Sequence, residues 1–349
     1  MNQLSKLPQQ EQQALTALAA KVNKVFVTGA GGFLGFAICQ RLIAAGIQVV
    51  GFARGEYPKL NEIGVDTIQG DIANLTQVIK AMQGCDLVFH VASKAGVWGS
   101  KQSYYSPNLN GANNIIQACK TLEINALVYT STPSVTFAGE DENGINELAP
   151  YANKYLNYYG ESKALAEQAM LAANSPALKT TALRPHLIWG PNDPHLVPRV
   201  IERAQAGRLK LVGKQDKLVD TIYVDNAAYA HILAGLDLVS VGKSAGKAYF
   251  LSNDEPITMA NMLNKILACV DLPPVTKRVP AAVAYAVGAT LETIYSALNI
   301  TREPIMTRFV ARQLSTSHYF DIAAAKQDLG YQPLVSIDEG MKRLRESLS

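Results

Sequence analysis

The sequence lacks paired cysteines. Its four, Cys39, Cys85, Cys119 and Cys269, form no CxxC and have no zinc-type spacing with histidine. Each sits in an apolar, regular-looking stretch, so buried reduced thiols in a cytoplasmic protein are expected. Basic stripes are absent too. The 32 Lys and Arg are scattered among 29 Asp and Glu for a net charge of +3. That balance excludes the footprint of a nucleic-acid binder. Histidine is scarce, and His186, His195 and His231 show no ligand spacing, so no metal site is expected. The Gln-rich segment Met1 to Lys21 has no basic start followed by an apolar block, and it does not read as a secretion signal. No apolar run suits a bilayer span: the most apolar later one, Pro280 to Thr290, is short and soon meets Glu292. A buried helix, an interfacial helix and the wall of an apolar pocket remain open for it. There is no internal repeat and no low-complexity tract.

What is present is enough apolar residue, 48% of 349, to bury a large core. The first half alternates short β-branched runs with helical patterns. Strands are expected at Lys24 to Thr28, Gln48 to Ala53, Thr67 to Gln69, Asp86 to Val91, Ala126 to Ser131 and Thr180 to Leu183. Helices are expected at Phe33 to Ala45, Leu75 to Met82, Gly111 to Thr121 and Tyr158 to Ala173. This rhythm gives βαβ units and an α/β fold: a doubly wound parallel sheet covered on both faces. After Arg184-Pro185 prolines multiply and the rhythm loosens. Val219 to Val224 and Ala248 to Leu251 are candidates to return to the sheet. The rest should form a smaller, mostly helical region over its C-terminal edge.

The first strand leads into Thr28-Gly29-Ala30-Gly31-Gly32-Phe33-Leu34-Gly35, a GxxGxxG turn that opens a helix. Glycine allows the tight turn and close approach of backbone. A pyrophosphate can then rest on free N–H groups at the helix start, where the dipole favours an anion. The context is that of a Rossmann-type dinucleotide site. The second strand ends Phe52-Ala53-Arg54, with Ala53 where an NAD binder usually carries an acid. Arg54 suits a 2′-phosphate, which favours NADP(H). Asp71, after the third strand, is placed to meet the adenine amino group or to cap the helix starting near Asn74. The expected organisation is therefore an N-terminal extension over 1–22, in which Leu15, Leu18, Ala19 and Val22 mark one helix face, an NADP-binding domain over 23–186 with return segments near 219–251, and a mainly substrate-binding region over 187–349.

Of fifteen tyrosines, only Tyr159 has a lysine four residues on, Lys163. On a helix both side chains share a face. An ammonium nearby lowers a phenol's pKa, which suits Tyr159 to proton transfer with a carbonyl or alcohol oxygen. Strand C-terminal ends face the ligand crevice in such sheets, so the hydroxyls of Thr132 and Ser134 are candidates to bind the substrate oxygen, Thr132 first.

Together these residues resemble the extended branch of the short-chain dehydrogenases/reductases, from Lys24 onward. The family's TGxxGxxG falls on Thr28 to Gly35 and its Asn-x-x-Gly on Asn108 to Gly111. Its Arg-Pro turn falls on Arg184-Pro185, and its Val-Asp-Asn-Ala segment on Val224 to Ala227. Within that branch the chain is similar to the 3β-hydroxysteroid dehydrogenase-like group, and there to reductases of 2-alkyl-3-oxo acids in bacterial long-chain olefin synthesis. Lys94 to Gly99, Tyr129 to Val135, Leu187 to Pro191 and Ala248 to Asn253 carry that likeness. The resemblance implies Tyr159, Lys163 and Thr132 as catalytic residues. It implies cofactor contacts from Gly29, Gly32, Phe33, Leu34, Gly35, Arg54, Asp71, Ile72, Ala92, Lys163 and Arg184. NADPH would reduce the C3 ketone of a β-keto acid with long alkyl arms, and Val279 to Leu298 would wall an alkyl pocket. A β-lactone-forming enzyme would take the product, with a physical complex and a homodimer as the implied assemblies. Rival readings are a sterol or hydroxysteroid dehydrogenase, a nucleotide-sugar epimerase or dehydratase, and a non-catalytic NADP sensor. Pro133 and Ser134 stand where a dehydratase carries its acidic pair. The presence of both Tyr159 and Lys163 argues against the sensor.

Overall fold

The computed structural model describes residues 3–349. Seven strands form the main sheet: β1 (Lys24–Thr28), β2 (Gln48–Ala53), β3 (Asp66–Gln69), β4 (Leu87–His90), β5 (Ala126–Thr130), β6 (Lys179–Pro185) and β7 (Lys247–Leu251). Their order is β7-β6-β5-β4-β1-β2-β3, and every neighbouring pair is parallel. Parallel strands covered on both faces are apolar throughout rather than alternating. Thus Val25 and Val27 of β1 face one core while Phe26 faces the other.

The helices that matter are α1 (Gln9–Ala19), α2 (Phe33–Ala44), α3 (Leu75–Ala81), α4 (Gly111–Thr121), α5 (Tyr158–Ala172), α6 (Val224–Leu238), α7 (Ala281–Ala297) and α8 (Arg308–Ser315). Helices α1, α2 and α6 cover one face of the sheet. Helices α3, α4 and α5 cover the other. From Gln9 onward the segment read as an extension is built into the first face. Leu15 and Leu18 are fully buried there. Glu11 of α1 pairs with Arg41 of α2 at 2.5 Å, and Arg41 pairs with Asp225 of α6 at 2.9 Å. Burial raises the Glu11 carboxyl, and the Arg41 guanidinium pulls it back. One buried arginine therefore joins three helices.

The return to the sheet is made by Lys247–Leu251 alone. The other candidate, Val219 to Val224, does not join it. Leu218–Val219 enters a four-stranded sheet with Ile257–Thr258, His318–Phe320 and Glu142–Ile145. Ile222–Tyr223 pairs instead with Ile188–Trp189, and α6 begins at Val224. A two-residue strand cannot cover an edge already taken by β7.

Beyond these, Leu211–Val212 pairs with Arg278–Val279, and α7 packs on α8. A small core of Val212, Ala284 and Ala311 holds this satellite together. At Gly288 the helix backbone comes so close to Thr307 and Arg308 that a Cβ there would lie 2.6 Å from the Thr307 carbonyl carbon. Among the described residues no helix is long and apolar enough to cross a membrane.

Candidate active site

The crevice lies over the C-terminal ends of β1 and β4, where strand order reverses. At the end of β1, Gly29 takes φ +66, a left-handed conformation that glycine adopts without cost. A Cβ there would sit 2.9 Å from the Ala92 backbone, and one at Gly35 would sit 2.1 Å from the Gly29 carbonyl oxygen. The loop is thus a cradle that side chains would fill. It opens onto the N-terminus of α2, whose free amides suit a pyrophosphate. Thr28 fastens the floor: its hydroxyl oxygen accepts from Ala92 N at 3.0 Å and is hydrogen-bonded to His90 Nδ1 at 2.8 Å. Burial lowers the His90 pKa to about 3, so this ring stays neutral.

The crevice has a volume of about 550 Å³. Gly29, Gly32, Phe33, Leu34, Gly35, Arg54, Asp71, Ile72 and Ala92 all line it, as do Thr132, Ser134 and Tyr159. Arg54 is exposed, and no carboxylate pairs with its guanidinium among the described residues. Asp71 does not cap α3. Asn74 does, by accepting from Gln77 N, while Asp71 accepts from Ala73 N at 2.9 Å.

Two of the expected cofactor contacts, Lys163 and Arg184, do not line the crevice. Strand alternation turns Leu183 toward α6 and Arg184 toward α5, where Glu167 waits. The guanidinium donates to that carboxylate through Nε and Nη2 at 2.5–3.2 Å and lies over the Phe250 ring. Both partners are buried. Arg184 therefore clamps β6 to α5, and its neighbours Pro185 and His186 reach the crevice instead.

Tyr159 stands in the first turn of α5. Asn157 caps that turn by accepting from Gly160 N at 2.8 Å, as its position before the helix suggests. The phenol neighbours the Thr132 side chain, whose hydroxyl oxygen accepts from Ser134 N at 3.2 Å. Burial raises the phenol pKa, and the Thr132 hydroxyl acts against it. The expected lowering by Lys163 does not operate in this arrangement. Lys163 Nζ donates to the Thr130 carbonyl at 2.6 Å and lies 4.1 Å from the Tyr129 ring centre. Its own pKa is pushed down to about 7 by burial, with Glu167 acting the other way. Lysine and phenol share a helix face, as the spacing predicts, but the ammonium is turned to the strand behind.

Other wall residues were not picked out from the sequence as site residues. Lys94 is held by Asn108, which accepts from Lys94 N at 2.7 Å and donates to Lys94 O at 3.2 Å. Lys94 Nζ donates to Ser103 Oγ at 2.7 Å, over the Tyr104 ring. Asn108 itself sits in a π-turn, Ser106–Asn110, a local device that often marks a working site. Among the described residues, Lys94 and Arg54 are the only lysine and arginine on the lining. Val97, Leu187, Ile188, Leu196 and Phe309 supply an apolar wall. His186 is buried against His318 and Phe320, and its Nε2 has no partner. His231 is structural: its ring nitrogens meet the Ala227 carbonyl and the Thr130 hydroxyl. No residue of 279–298 lines the crevice, so the expected alkyl pocket is not there. Phe309 and Gln313 of α8, the helix beneath it, take that place.

Comparison with known proteins follows the same lines. The sequence profile of the 3-beta hydroxysteroid dehydrogenase/isomerase family matches residues 26–276. The chain is 69% identical to a 2-alkyl-3-oxoalkanoate reductase of Shewanella oneidensis, covering 98% of this chain and 90% of the relative. It is 48% identical to a protein of that name from Stenotrophomonas maltophilia, covering 93% and 99%. A mouse sterol-4-alpha-carboxylate 3-dehydrogenase, decarboxylating, is 34% identical over 95% of this chain and 93% of its own. Among solved structures, UDP-glucuronic acid 4-epimerase from Bacillus cereus in complex with NAD superposes with a TM-score of 0.73 at 21% identity, covering 93% of this chain and 98% of that one. At that identity the likeness shows the fold alone. The glycine cradle, the sheet order and the profile match agree: this chain belongs to the 3-beta hydroxysteroid dehydrogenase/isomerase family.

Proposed function

We propose that the chain reduces the C3 ketone of a 2-alkyl-3-oxoalkanoate to the 2-alkyl-3-hydroxyalkanoate, with NADPH as reductant. The observation that carries this reading is that Tyr159 and Thr132 line the same crevice as the glycine cradle of Gly29, Gly32 and Gly35. The gly-rich loop and the α2 amides would hold the pyrophosphate, and Arg54 a 2′-phosphate. Asp71 and Ile72 would border the adenine, and Lys163 would hold the nicotinamide ribose once its ammonium leaves the Thr130 carbonyl. A bound reduced nicotinamide supplies the hydride. Thr132 orients the carbonyl oxygen, and Tyr159 gives that oxygen its proton as negative charge develops. The high phenol pKa favours the protonated form that reduction needs.

The two fixed cations of the lining answer two anions. Arg54 stands after β2 and Lys94 after β4, on opposite sides of β1. Lys94, with no acidic partner among the described residues, is assigned to the substrate carboxylate, and the apolar wall from Val97 to Phe309 to its alkyl arms. Since the product keeps a 3-hydroxyl and a carboxylate, it is a substrate for β-lactone closure. An enzyme of that class is the proposed consumer and partner, with a homodimer in the cytoplasm as the working form.

The test is formation of reduced nicotinamide from a 2-alkyl-3-hydroxy acid, with NADP⁺ and NAD⁺ in parallel and a 3β-hydroxysterol as rival substrate. Turnover of the hydroxy acid with NADP⁺ is expected. Turnover of the sterol alone would replace the substrate class, and preference for NAD⁺ would remove the role given to Arg54.

A further inference from the structure

Helix α7 presents an apolar face that no described residue covers. Val283 is 50% exposed, Val287 42% and Ile294 45%; Leu298, just past the helix, is 67% exposed. Their spacing of four, seven and four residues places them on one side of the helix. Ile305, in the connection to α8, adds a fifth at 68%. The adjoining side, through Ala284 and Gly288, is what packs inward. Five of the twelve exposed large apolar side chains among the described residues thus fall within 23 residues, which scattered exposure does not explain.

The charge of the satellite that carries this face identifies what covers it. The satellite is made of residues 196–217 and 275–314, joined by the pairing of Leu211–Val212 with Arg278–Val279. Arg203 also donates to the Ile305 carbonyl at 3.3 Å, and Arg199 pairs with Glu303 at 3.0 Å. These two segments hold eleven Lys and Arg against four Asp and Glu, a net +7 in a chain whose total is +3. The rest of the chain is therefore net negative. Arg208, Lys210, Lys214, Lys277 and Arg302 are exposed and have no ion-pair partner among the described residues. A second copy meeting this face with its own would bring like charge against like charge. An anionic lipid surface matches both the apolar stripe and the net positive charge of the satellite that carries it.

We propose that α7 is an interfacial helix that seats the protein on anionic membranes, its axis along the surface and its Val283–Leu298 stripe among the lipid headgroups. The position suits delivery of a long-chain substrate, a point that rests on the function proposed above. Trp98 joins this helix to the crevice: its Nε1 donates to the Ile300 carbonyl at 3.0 Å and its ring meets Tyr295 edge-on. Ala95 to Val97, just before Trp98, line the crevice, as do Phe309 and Gln313 of α8 beneath.

The full chain is tested by cosedimentation with phosphatidylcholine vesicles, with and without phosphatidylglycerol, at low and high salt. The triple variant Val283→Ser, Val287→Ser, Ile294→Ser is run beside it, with its melting temperature, NADPH affinity and activity on a short-chain 3-hydroxy acid as controls. Wild type should sediment with the anionic vesicles and be released by salt. The triple variant should bind at least about tenfold more weakly, from the apolar area removed, with its controls unchanged. Wild type left in the supernatant with both vesicle types overturns the proposal. So does a variant that sediments as wild type does, or a wild-type dimer that the triple substitution makes monomeric. Lipid binding with no hydroxy-acid turnover in wild type would sustain this surface while removing the proposed function.

Discussion

Helices α6 and α7 are both built almost wholly of apolar and small residues, yet they meet opposite fates. Eleven of the fifteen residues of α6 are buried, against two of the seventeen of α7. The difference lies in what each is given to lie on. Helix α6 has the sheet on one side and α1 and α2 on the other. At Gly235 a Cβ would come 2.8 Å from the Phe89 ring. Its buried polar groups are all engaged: Asn226 donates to the Val335 and Asn253 oxygens and accepts from Leu334 N and Val335 N. Helix α7 has only α8 and a three-residue core. Apolar composition therefore states that a helix wants cover, and only the topology states whether the chain itself supplies it.

Paired substitutions would break or sharpen this contrast. Ala230→Asp in α6 places a charge with no partner in the core and should abolish folding or lower the melting temperature by at least about 10 °C. Val287→Asp in α7 should move it by no more than about 1–2 °C. Equal effects would mean that α7 is covered after all. In the buried half, Tyr159→Phe should cost roughly 10²–10⁴ in kcat while NADPH affinity stays within about threefold, by stopped-flow and fluorescence titration. Arg54→Ala should weaken NADPH binding by about 10–100-fold and leave NADH unchanged. Lys94→Met should raise KM for the free acid over a similar range but not for its methyl ester.

The smallest effect concerns Lys163. Its pKa falls from 10.5 to about 7 on folding, so between those values the unfolded chain binds more protons and stability rises with pH. Below pH 7 the cost of the buried charge is fully present. Lys163→Met should therefore raise the melting temperature by a few degrees at pH 6, with the gain shrinking toward pH 10, even as activity is lost. A gain independent of pH would mean that the ammonium is not paying a burial cost.

The strands of the sheet were legible because burial on both faces leaves near-continuous β-branched runs, and the cradle because glycine spacing reports backbone contacts directly. Tyr159 and Lys163 were legible as a helical pair. What that spacing does not hold is where the ammonium turns, since Thr130 and Tyr129 come from a distant strand. Arg184 was misplaced for a similar reason: the period of a strand says that neighbours face opposite ways, not which way holds Glu167. Val219 to Val224 has strand composition but no free edge to join. Lys94 was quoted only within a likeness, because its place on the wall depends on the Asn108 clamp fourteen residues on.

The central claim is that Tyr159 works as the proton-transfer group of an NADP-linked reduction at C3. It is tested most directly with a 2-alkyl-3-hydroxy acid deuterated at C3, incubated with NADP⁺ and either wild type or Tyr159→Phe. Deuterium is expected on the reduced nicotinamide with wild type and almost none with the variant, although both bind NADP⁺. Label transferred equally by the two proteins, or by neither, would contradict it.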